Sequence, residues 1–188
     1  YGAYLSSNSS KYSDNLAVDK IWYTFPVGES NTVWVGPKIE NYYMHATAPS
    51  IYKPTLKQFA LGGNGAAYGA STKAGAGWAY KADNGFAVSS NVVSANTGIA
   101  TNESVTSWAT QVGYTQPQYS ASLMINQKFN GWEDGYYSTT KGHYRLLDGA
   151  TSTQQSANSV NYGLRAWWRP VDTGTATPSI SAGYDTST

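Results

Sequence analysis

Cysteine is absent from the chain and charged side chains are scarce. The 188 residues include no Cys and only two His, and 12% of the residues are charged, where a globular domain usually has about 25%. The lack of cysteine excludes disulfide bonds and Cys-ligated metal sites, and it leaves the redox compartment open. With His45 and His143 alone, a three-histidine zinc site is also excluded.

The chain also lacks long apolar runs and an excess of charge of one sign. No stretch approaches the ~18 consecutive apolar residues that a membrane-spanning helix needs. A net charge of +1 creates no overall field that would attract nucleic acid. We therefore expect no nucleic-acid partner. The polarity comes from Ser, Thr, Asn, Gln, Gly and 16 Tyr instead.

Alternation of apolar and polar residues runs through most of the chain. In SANSVNYGLRAWWRP (156–170), Leu164 and Trp168 fall on one face of an extended chain, and Arg165 and Arg169 fall on the other. The same period of two recurs in 20–27, 33–40, 74–81, 86–93, 107–114, 119–126 and 179–185. We predict an all-β protein of about eight strands without a helix. Pro37 predicts an edge or a bulge in its strand.

Short and long connections alternate strictly. The short ones, GESN (28–31), DNG (83–85), QPQ (116–118) and VDTGTATP (171–178), are rich in turn-forming residues. The long ones are residues 44–72, 96–104 and 129–156. An antiparallel sheet with all short turns at one end is typical of outer-membrane barrels, in which those turns are periplasmic. A soluble sandwich has no reason to sort its connections in this way.

The two faces of the predicted strands suggest a protein whose apolar side chains point outward and whose polar side chains point inward. One face carries Val, Leu, Ile and Ala in mid-strand, and its aromatic residues lie near the strand ends. They are Phe86, Tyr119, Tyr114, Trp168, Tyr184 and Tyr80. Such rings suit the headgroup level of a membrane. The other face is rich in Gly, Ser and Asn, which fill a dry core poorly and suit a wall in contact with water. We predict an antiparallel transmembrane β-barrel with outer-membrane lipid around it.

Three stretches of the chain carry a resemblance to a known family: LAVDKIWYTFPVGESNTVWVGPKIENYYM, GAGWAYKADNGFAVSSNVVSAN and SVTSWATQVGYTQPQYSASLMIN. They resemble cyanobacterial outer-membrane porins related to the carbohydrate-selective porin family. The resemblance implies passive diffusion of small hydrophilic solutes and inorganic ions across the outer membrane. It also implies an N-terminal wall-binding domain and many more strands than this sequence has.

Size supports a partial barrel. Eight strands enclose an interior that side chains fill, whereas an aqueous channel takes about 16 strands. We therefore expect residues 1–188 to be one β-barrel segment of a larger porin, without the wall-binding domain and the remaining strands. A small closed barrel of eight to ten strands is the competing interpretation. By analogy with general porins, a homotrimer is the candidate assembly.

The predicted channel wall is mostly cationic. The residues expected to line it are Lys20, Lys38, Glu40, Lys81, Lys128, Arg165 and Arg169. Rings of Lys and Arg favour anions, so we expect a weak anion preference. Solvation at a rim is the alternative for Arg169. The long link 44–72 is a candidate constriction loop in which Lys53 and Lys57 would affect selectivity.

Signals for catalysis are weak, and we expect no catalytic residue, cofactor or metal site. SIYK (50–53) has the Ser-x-x-Lys spacing of acylated serine enzymes, but prolines flank it. Glu133 and Asp134 are adjacent, so on an extended chain they point apart. ALGGNGAAYGAS lacks the Gly-Lys-Ser/Thr of a phosphate loop.

Two other classes of protein stay open. A secreted β-sandwich or lectin-like binding module explains the strands and aromatic residues but gives the Gly/Ser face no role. An outer-membrane surface receptor or structural protein shares the barrel and differs only in its loops. Burial of Leu123, Ile125 and Leu164 against a second sheet, with Arg165 in bulk solvent, would favour the sandwich.

Overall fold

The computed structural model describes residues 18, 20–49, 72–95, 101, 104–130, 132, 143–148, 151–156, 158–172 and 178–187, with the backbone alone at 143–148 and 151–156. The strands within these ranges are β1 (Ile21–Val27), β2 (Asn31–Glu40), β3 (Thr72–Lys81), β4 (Phe86–Ser94), β5 (Thr106–Gln116), β6 (Tyr119–Phe129), β7 (His143–Asp148), β8 (Thr151–Ser156), β9 (Ser159–Trp168) and β10 (Ile180–Ser187). A 3₁₀ helix follows β2 at Asn41–Met44. None of the described residues belongs to a helix of the length and apolarity required to cross a bilayer.

Eight of these strands form one antiparallel sheet in the order β1-β2-β3-β4-β5-β6-β9-β10. The predicted all-β antiparallel fold is therefore confirmed. β6 pairs directly with β9, and β7 and β8 form a separate two-stranded sheet. Within the described ranges β1 and β10 are the two edges and do not pair with each other, so the sheet is not closed into a barrel.

The hairpin β7–β8 lies inside the link 129–156, where the sequence predicts only a connection. The alternation predicts no strand in this link, so β7 and β8 add two strands to the predicted eight. Gly149 and Ala150 separate the two strands, and a two-residue link that contains glycine is a common hairpin signal. β8 could not be predicted from its sequence TSTQQS, because all six residues are polar and show no alternation with apolar residues.

The irregularity predicted at Pro37 is present. The register between β2 and β3 shifts between Gly36 and Ile39. A one-residue shift moves side chains to the opposite face of a sheet. Ile39, predicted on the same face as Val33 and Val35, therefore packs beside Gly75 on the opposite face.

The faces of the eight-stranded sheet differ sharply in exposure. We call one the apolar face; its large side chains are 39–67% exposed and include Trp78, Phe86, Val92, Trp108, Val112, Tyr114, Tyr119, Leu123, Tyr162, Leu164, Trp168, Ile180 and Tyr184. We call the other the polar face; its buried polar side chains are at most 6% exposed and include Ser89, Asn91, Ser107, Gln111, Ser120, Ser122, Asn126, Lys128, Asn161 and Arg165. Cross-strand register keeps each set together on its own face.

The short turns lie side by side at one end of the sheet, which we call the turn rim. The backbone amide of Thr115 donates to the carbonyl of Gly85, and the side chain of Gln116 donates to the carbonyl of Asn84 at 2.8 Å. The amide of Arg169 donates to the carbonyl of Gln118 at 2.9 Å. Gly85 has a φ of +94°, a conformation that side chains disfavour, which explains glycine in this turn. Neighbouring hairpins are thus tied together at this end.

A small apolar cluster lies at the opposite end of the sheet. Its buried members are Ile39, Met44, Val93 and Trp132, and partly buried Trp22, Trp34 and Val105 pack against them. Ile39 lies near the end of β2 and Met44 is the last residue of the 3₁₀ helix, so the cluster fixes where the chain leaves β2. The residues that follow the helix are thereby directed across the polar face.

Candidate pore wall and the segment that lies on it

Side chains of the polar face bind one another across strands. Ser107 of β5 donates to the Asn126 Oδ1 of β6 at 3.1 Å, and the Asn161 Nδ2 of β9 donates to the Asn126 carbonyl at 3.1 Å. Ser187 of β10 donates to the Asn161 Oδ1 at 2.6 Å. Hydroxyl and amide groups from four strands thus form one hydrogen-bonded row. Ser107, Asn126 and Asn161 are fully buried, so these side chains satisfy one another's donors and acceptors within the sheet.

Arg165 forms an ion pair within this wall. Its Nη1 lies 2.6 Å from the Asp185 Oδ1, and the two side chains are 1% and 15% exposed. The same Nη1 donates to the Leu164 carbonyl at 2.8 Å. The pair lies over Gly163, where a Cβ would come within 3.0 Å of the Asp185 Oδ1. The guanidinium is therefore held against the wall and balanced by a carboxylate, because β9 and β10 pair in this register.

Three predicted lining residues cluster where β1 meets β2. Lys20 Nζ lies 2.6 Å from the buried Glu40 Oε2. Lys38 pairs with exposed Ile21 in the register, and its Nζ donates to the Val18 carbonyl at 3.0 Å. The structure thus brings Lys20 and Glu40 together as an ion pair. It places Lys38 beside exposed Ile21, away from the row of buried polar side chains.

The other predicted lining residues are spread over the length of the sheet. Lys81 is exposed near the turn rim, opposite Ala87 of β4. Lys128 is 1% exposed and lies between Ser107 and Ser159 on the polar face. Arg169 is at the turn rim, where its Nε donates to the Pro117 carbonyl at 2.7 Å and its guanidinium lies 6.0 Å from the ring of Trp167. Its place at the rim agrees with the alternative named for it above.

The first part of the link that follows β2 lies on the polar face. We call residues 41–49 the inner segment. The amide of Ala46 donates to the Ser89 Oγ at 3.1 Å, and the amide of Thr47 donates to the Gln111 Oε1 at 2.9 Å. Gln111 Nε2 in turn donates to the Thr47 carbonyl at 2.9 Å. The inner segment is thus bound by side chains of β4 and β5. Lys53 and Lys57, predicted for a constriction, lie outside the described residues.

Two glycines of the polar face make room for the inner segment. A Cβ at Gly113 would lie 2.2 Å from the Thr47 Oγ1, and one at Gly77 would lie 2.8 Å from the Met44 Sδ. Real Cβ atoms do not approach other heavy atoms so closely. The approach of this segment to the wall therefore depends on the absence of a side chain at these positions.

Several polar groups on the apolar face are hydrogen-bonded to neighbours on the same face. Trp108 Nε1 donates to the Ser90 Oγ at 2.8 Å, and the Ser90 and Thr110 hydroxyls lie 3.1 Å apart. Trp78 Nε1 donates to the Asn31 Oδ1 at 2.9 Å. Exposed groups in water have no need of such partners, whereas groups in hydrocarbon do. The indole N–H groups of Trp78 and Trp108 thus have acceptors within the protein although their rings are exposed.

Aromatic side chains line the apolar face beside the turn rim. The rings of Tyr114 and Tyr119 lie 6.3 Å apart, and Tyr119 pairs with Trp168 across β6 and β9. Below them a shallow groove of about 620 Å³ crosses the Ala121–Ala166–Ala182 row. The surface next to the rim is therefore aromatic, and the adjoining surface is aliphatic.

The described residues offer no cluster of side chains for a metal ion. They contain no group of three or more His, Asp, Glu or Cys side chains that could hold a metal ion. His45 belongs to the inner segment, where its Nδ1 lies 3.3 Å from the Asn91 Nδ2. The Ser-x-x-Lys stretch and the adjacent Glu133 and Asp134 fall outside the described residues.

Sequence reasoning missed the side chains that hold the inner segment. Gln111, Ser89 and Asn91 stand on the predicted polar face, but nothing in the alternation separates them from other polar residues. One local signal exists in hindsight, because Gln111 is a long amide between Ala109 and Gly113 on the same face. A long polar side chain beside a position without one marks a place where another part of the chain fits.

Comparison of the chain with protein-family models, with curated proteins and with solved structures finds no match. Interpretation of its function therefore depends on the geometry of the two faces and on the resemblance noted in the sequence.

Proposed function

We propose that the chain is part of the wall of an outer-membrane porin, a water-filled channel for passive diffusion of small hydrophilic solutes and ions. One observation carries the proposal. Leu123 and Leu164 are 41% and 52% exposed, whereas Arg165, next to Leu164 in the chain, is 2% exposed. A soluble protein buries its leucines and hydrates its arginines, so the sheet is inverted in the sense expected between lipid and water.

Strand length supports the same function. β3, β4, β5, β6 and β9 have 10, 9, 11, 11 and 10 residues. A tilted strand needs about 9–11 residues to cross the hydrocarbon core of a bilayer. Strands in soluble proteins are most often about 5–6 residues long. Five long strands of nearly equal length are expected for a membrane wall and are unusual for a sandwich.

The proposed channel requires further strands at both edges of the sheet. In hydrocarbon, unpaired backbone N–H and C=O groups are costly because no water is present to bind them. β1 and β10 are edges of the described sheet, so a wall in a membrane requires further strands at both edges. A channel that admits water takes about 16 strands, twice the number in this sheet.

Paired charges refine the predicted ion preference. Arg165 is balanced by Asp185 and Lys20 by Glu40, so neither cation acts alone on a passing ion. Lys81 is exposed at the turn rim. We therefore attribute a weak anion preference to Lys81, because an exposed charge near a channel mouth biases the local ion concentration.

Detergent dependence and conductance test the function together. The full protein is expected to stay monodisperse only in detergent or lipid, and to produce stepwise ion conductance in planar bilayers. A protein that is monodisperse in plain buffer would be a soluble binding module instead. Detergent dependence without conductance would indicate an outer-membrane receptor or structural protein, and either result would refute the porin.

A further inference from the structure

The inner segment is held through its backbone by one side chain that makes two hydrogen bonds. Gln111 is fully buried, and both polar atoms of its amide bind Thr47, the Oε1 to the amide nitrogen and the Nε2 to the carbonyl oxygen, each at 2.9 Å. The side-chain amide of Gln111 thus binds the backbone N–H and the backbone C=O of one residue, as a neighbouring β-strand would. Any residue other than proline at position 47 has the backbone atoms for this pairing, because the Thr47 side chain takes no part in it.

A second wall residue extends the pairing by one position. Ser89 stands directly opposite Gln111 in the register of β4 and β5, and its Oγ accepts a hydrogen bond from the amide of Ala46 at 3.1 Å. Adjacent amides of the inner segment are thus bound by a cross-strand pair of side chains. Asn91, two residues along β4, contacts the Asn41 carbonyl through its Nδ2 at 3.4 Å.

Close packing opposes displacement of the segment. Thr47 is seated against Gly113, two residues from Gln111 on the same strand, where a Cβ would come within 2.2 Å of the Thr47 Oγ1. Gly113 pairs regularly with Ala87 and Ser122 inside the ladder, so no turn requires glycine there. The role that remains for this glycine is to admit the segment.

We propose that the inner segment is a fixed constriction of the channel and that Gln111 is its positioning residue. The inference rests on the pore function proposed above. The segment crosses the polar face, which that function assigns to water, and a segment bound there narrows the path of a solute. Ala48 is exposed although its neighbours Thr47 and Pro49 are buried, so Ala48 points away from the wall.

Reactivity of a cysteine at position 47 tests the positioning role. The chain has no cysteine, so a single one can be labelled without background. In Thr47→Cys protein the thiol is shielded until the segment leaves the wall. Gln111→Ala removes two hydrogen bonds of about 1 kcal/mol each, and should accelerate labelling about 30-fold. The matched control is Gln127→Ala, because Gln127 lies on β6 opposite Trp108 on the other face.

Conductance of Ala48→Cys protein tests the constriction. Coupling a bulky cationic thiol reagent to this exposed position should lower single-channel conductance, and the same treatment of Asp83→Cys protein, at the exposed turn of β3 and β4, should lower it less. Unchanged conductance after labelling at 48, in a protein that does form channels, would overturn the constriction and leave the porin intact.

The two failures are distinguishable. Equal labelling rates in the Gln111→Ala and Gln127→Ala proteins would overturn the role of Gln111. Absence of any channel in the unmodified protein would refute the pore function and, with it, the constriction.

Discussion

The apolar and polar faces of the sheet satisfy their polar atoms in different ways. On the apolar face, Trp108, Ser90 and Thr110 form a closed local group that needs no further partner. On the polar face, hydrogen bonds run from strand to strand and out to the inner segment through Ser89 and Gln111. Under the pore function proposed above, the apolar face meets lipid, where polar atoms need partners within the protein because no water can reach them.

The largest predicted effect is a charge on the apolar face. Leu123→Arg places a guanidinium in the aliphatic middle of that face and should destabilise the folded protein in lipid vesicles by about 2–4 kcal/mol. Urea unfolding followed by tryptophan fluorescence measures this change. Leu123→Phe, which keeps the position apolar, should leave the stability nearly unchanged. If the two variants are equally stable, the face does not contact hydrocarbon.

The next effect concerns the ion pair of the polar face. Asp185→Asn leaves the Arg165 charge without its carboxylate, and the loss of one partner of a largely buried pair should cost about 2 kcal/mol. The Arg165→Gln change made together with Asp185→Asn should recover most of that loss. A double-mutant cycle measured by urea unfolding gives the coupling. Additive effects would mean that the pair does not contribute to stability.

A smaller effect compares one serine on each face. Ser90→Ala leaves the Trp108 indole N–H without its acceptor in hydrocarbon and should cost about 1 kcal/mol. Ser120→Ala removes a hydrogen bond to Thr115 on the polar face, where water can replace the lost partner. We expect it to cost less. If Ser120→Ala costs more stability than Ser90→Ala, the assignment of the apolar face to lipid and of the polar face to water is wrong.

The smallest effect on stability is expected at Lys81. Lys81→Glu should change the unfolding free energy by less than about 0.5 kcal/mol, since the side chain is exposed. The reversal potential in a salt gradient should shift toward cation preference. Lys81→Gln is the control and should give an intermediate shift. An unchanged reversal potential would mean that Lys81 does not determine ion selectivity. Arg165→Glu is less informative, because it would place two carboxylates together.

Strands and faces could be predicted because both follow from local alternation. A period of two assigns Leu164 and Arg165 to opposite faces without knowledge of distant residues. Pro37 also announced its bulge locally. The consequence of that bulge for Ile39 was missed, because the parity of every residue after a bulge depends on how many residues it contains.

Contacts between distant parts of the chain could not be predicted. Arg165 pairs with Asp185 only because β9 and β10 meet in one particular register across the connection 169–179. Gln111 meets Thr47 across 64 positions in the sequence, and neither residue is unusual in its own strand. The residue types were sufficient to predict the two faces of the sheet. Contact of the inner segment with the polar face could not be predicted, because it depends on the path of the chain after β2.

The turn rim links separate turns of the sheet to one another through hydrogen bonds. Thr115 and Gln116 bind the turn between β3 and β4, and Arg169 binds the turn between β5 and β6. These hydrogen bonds join turns that belong to different hairpins. The amide protons of Thr115 and Arg169, which are hydrogen-bonded between neighbouring turns, should therefore exchange more slowly with solvent than amides of these turns that have no such partner.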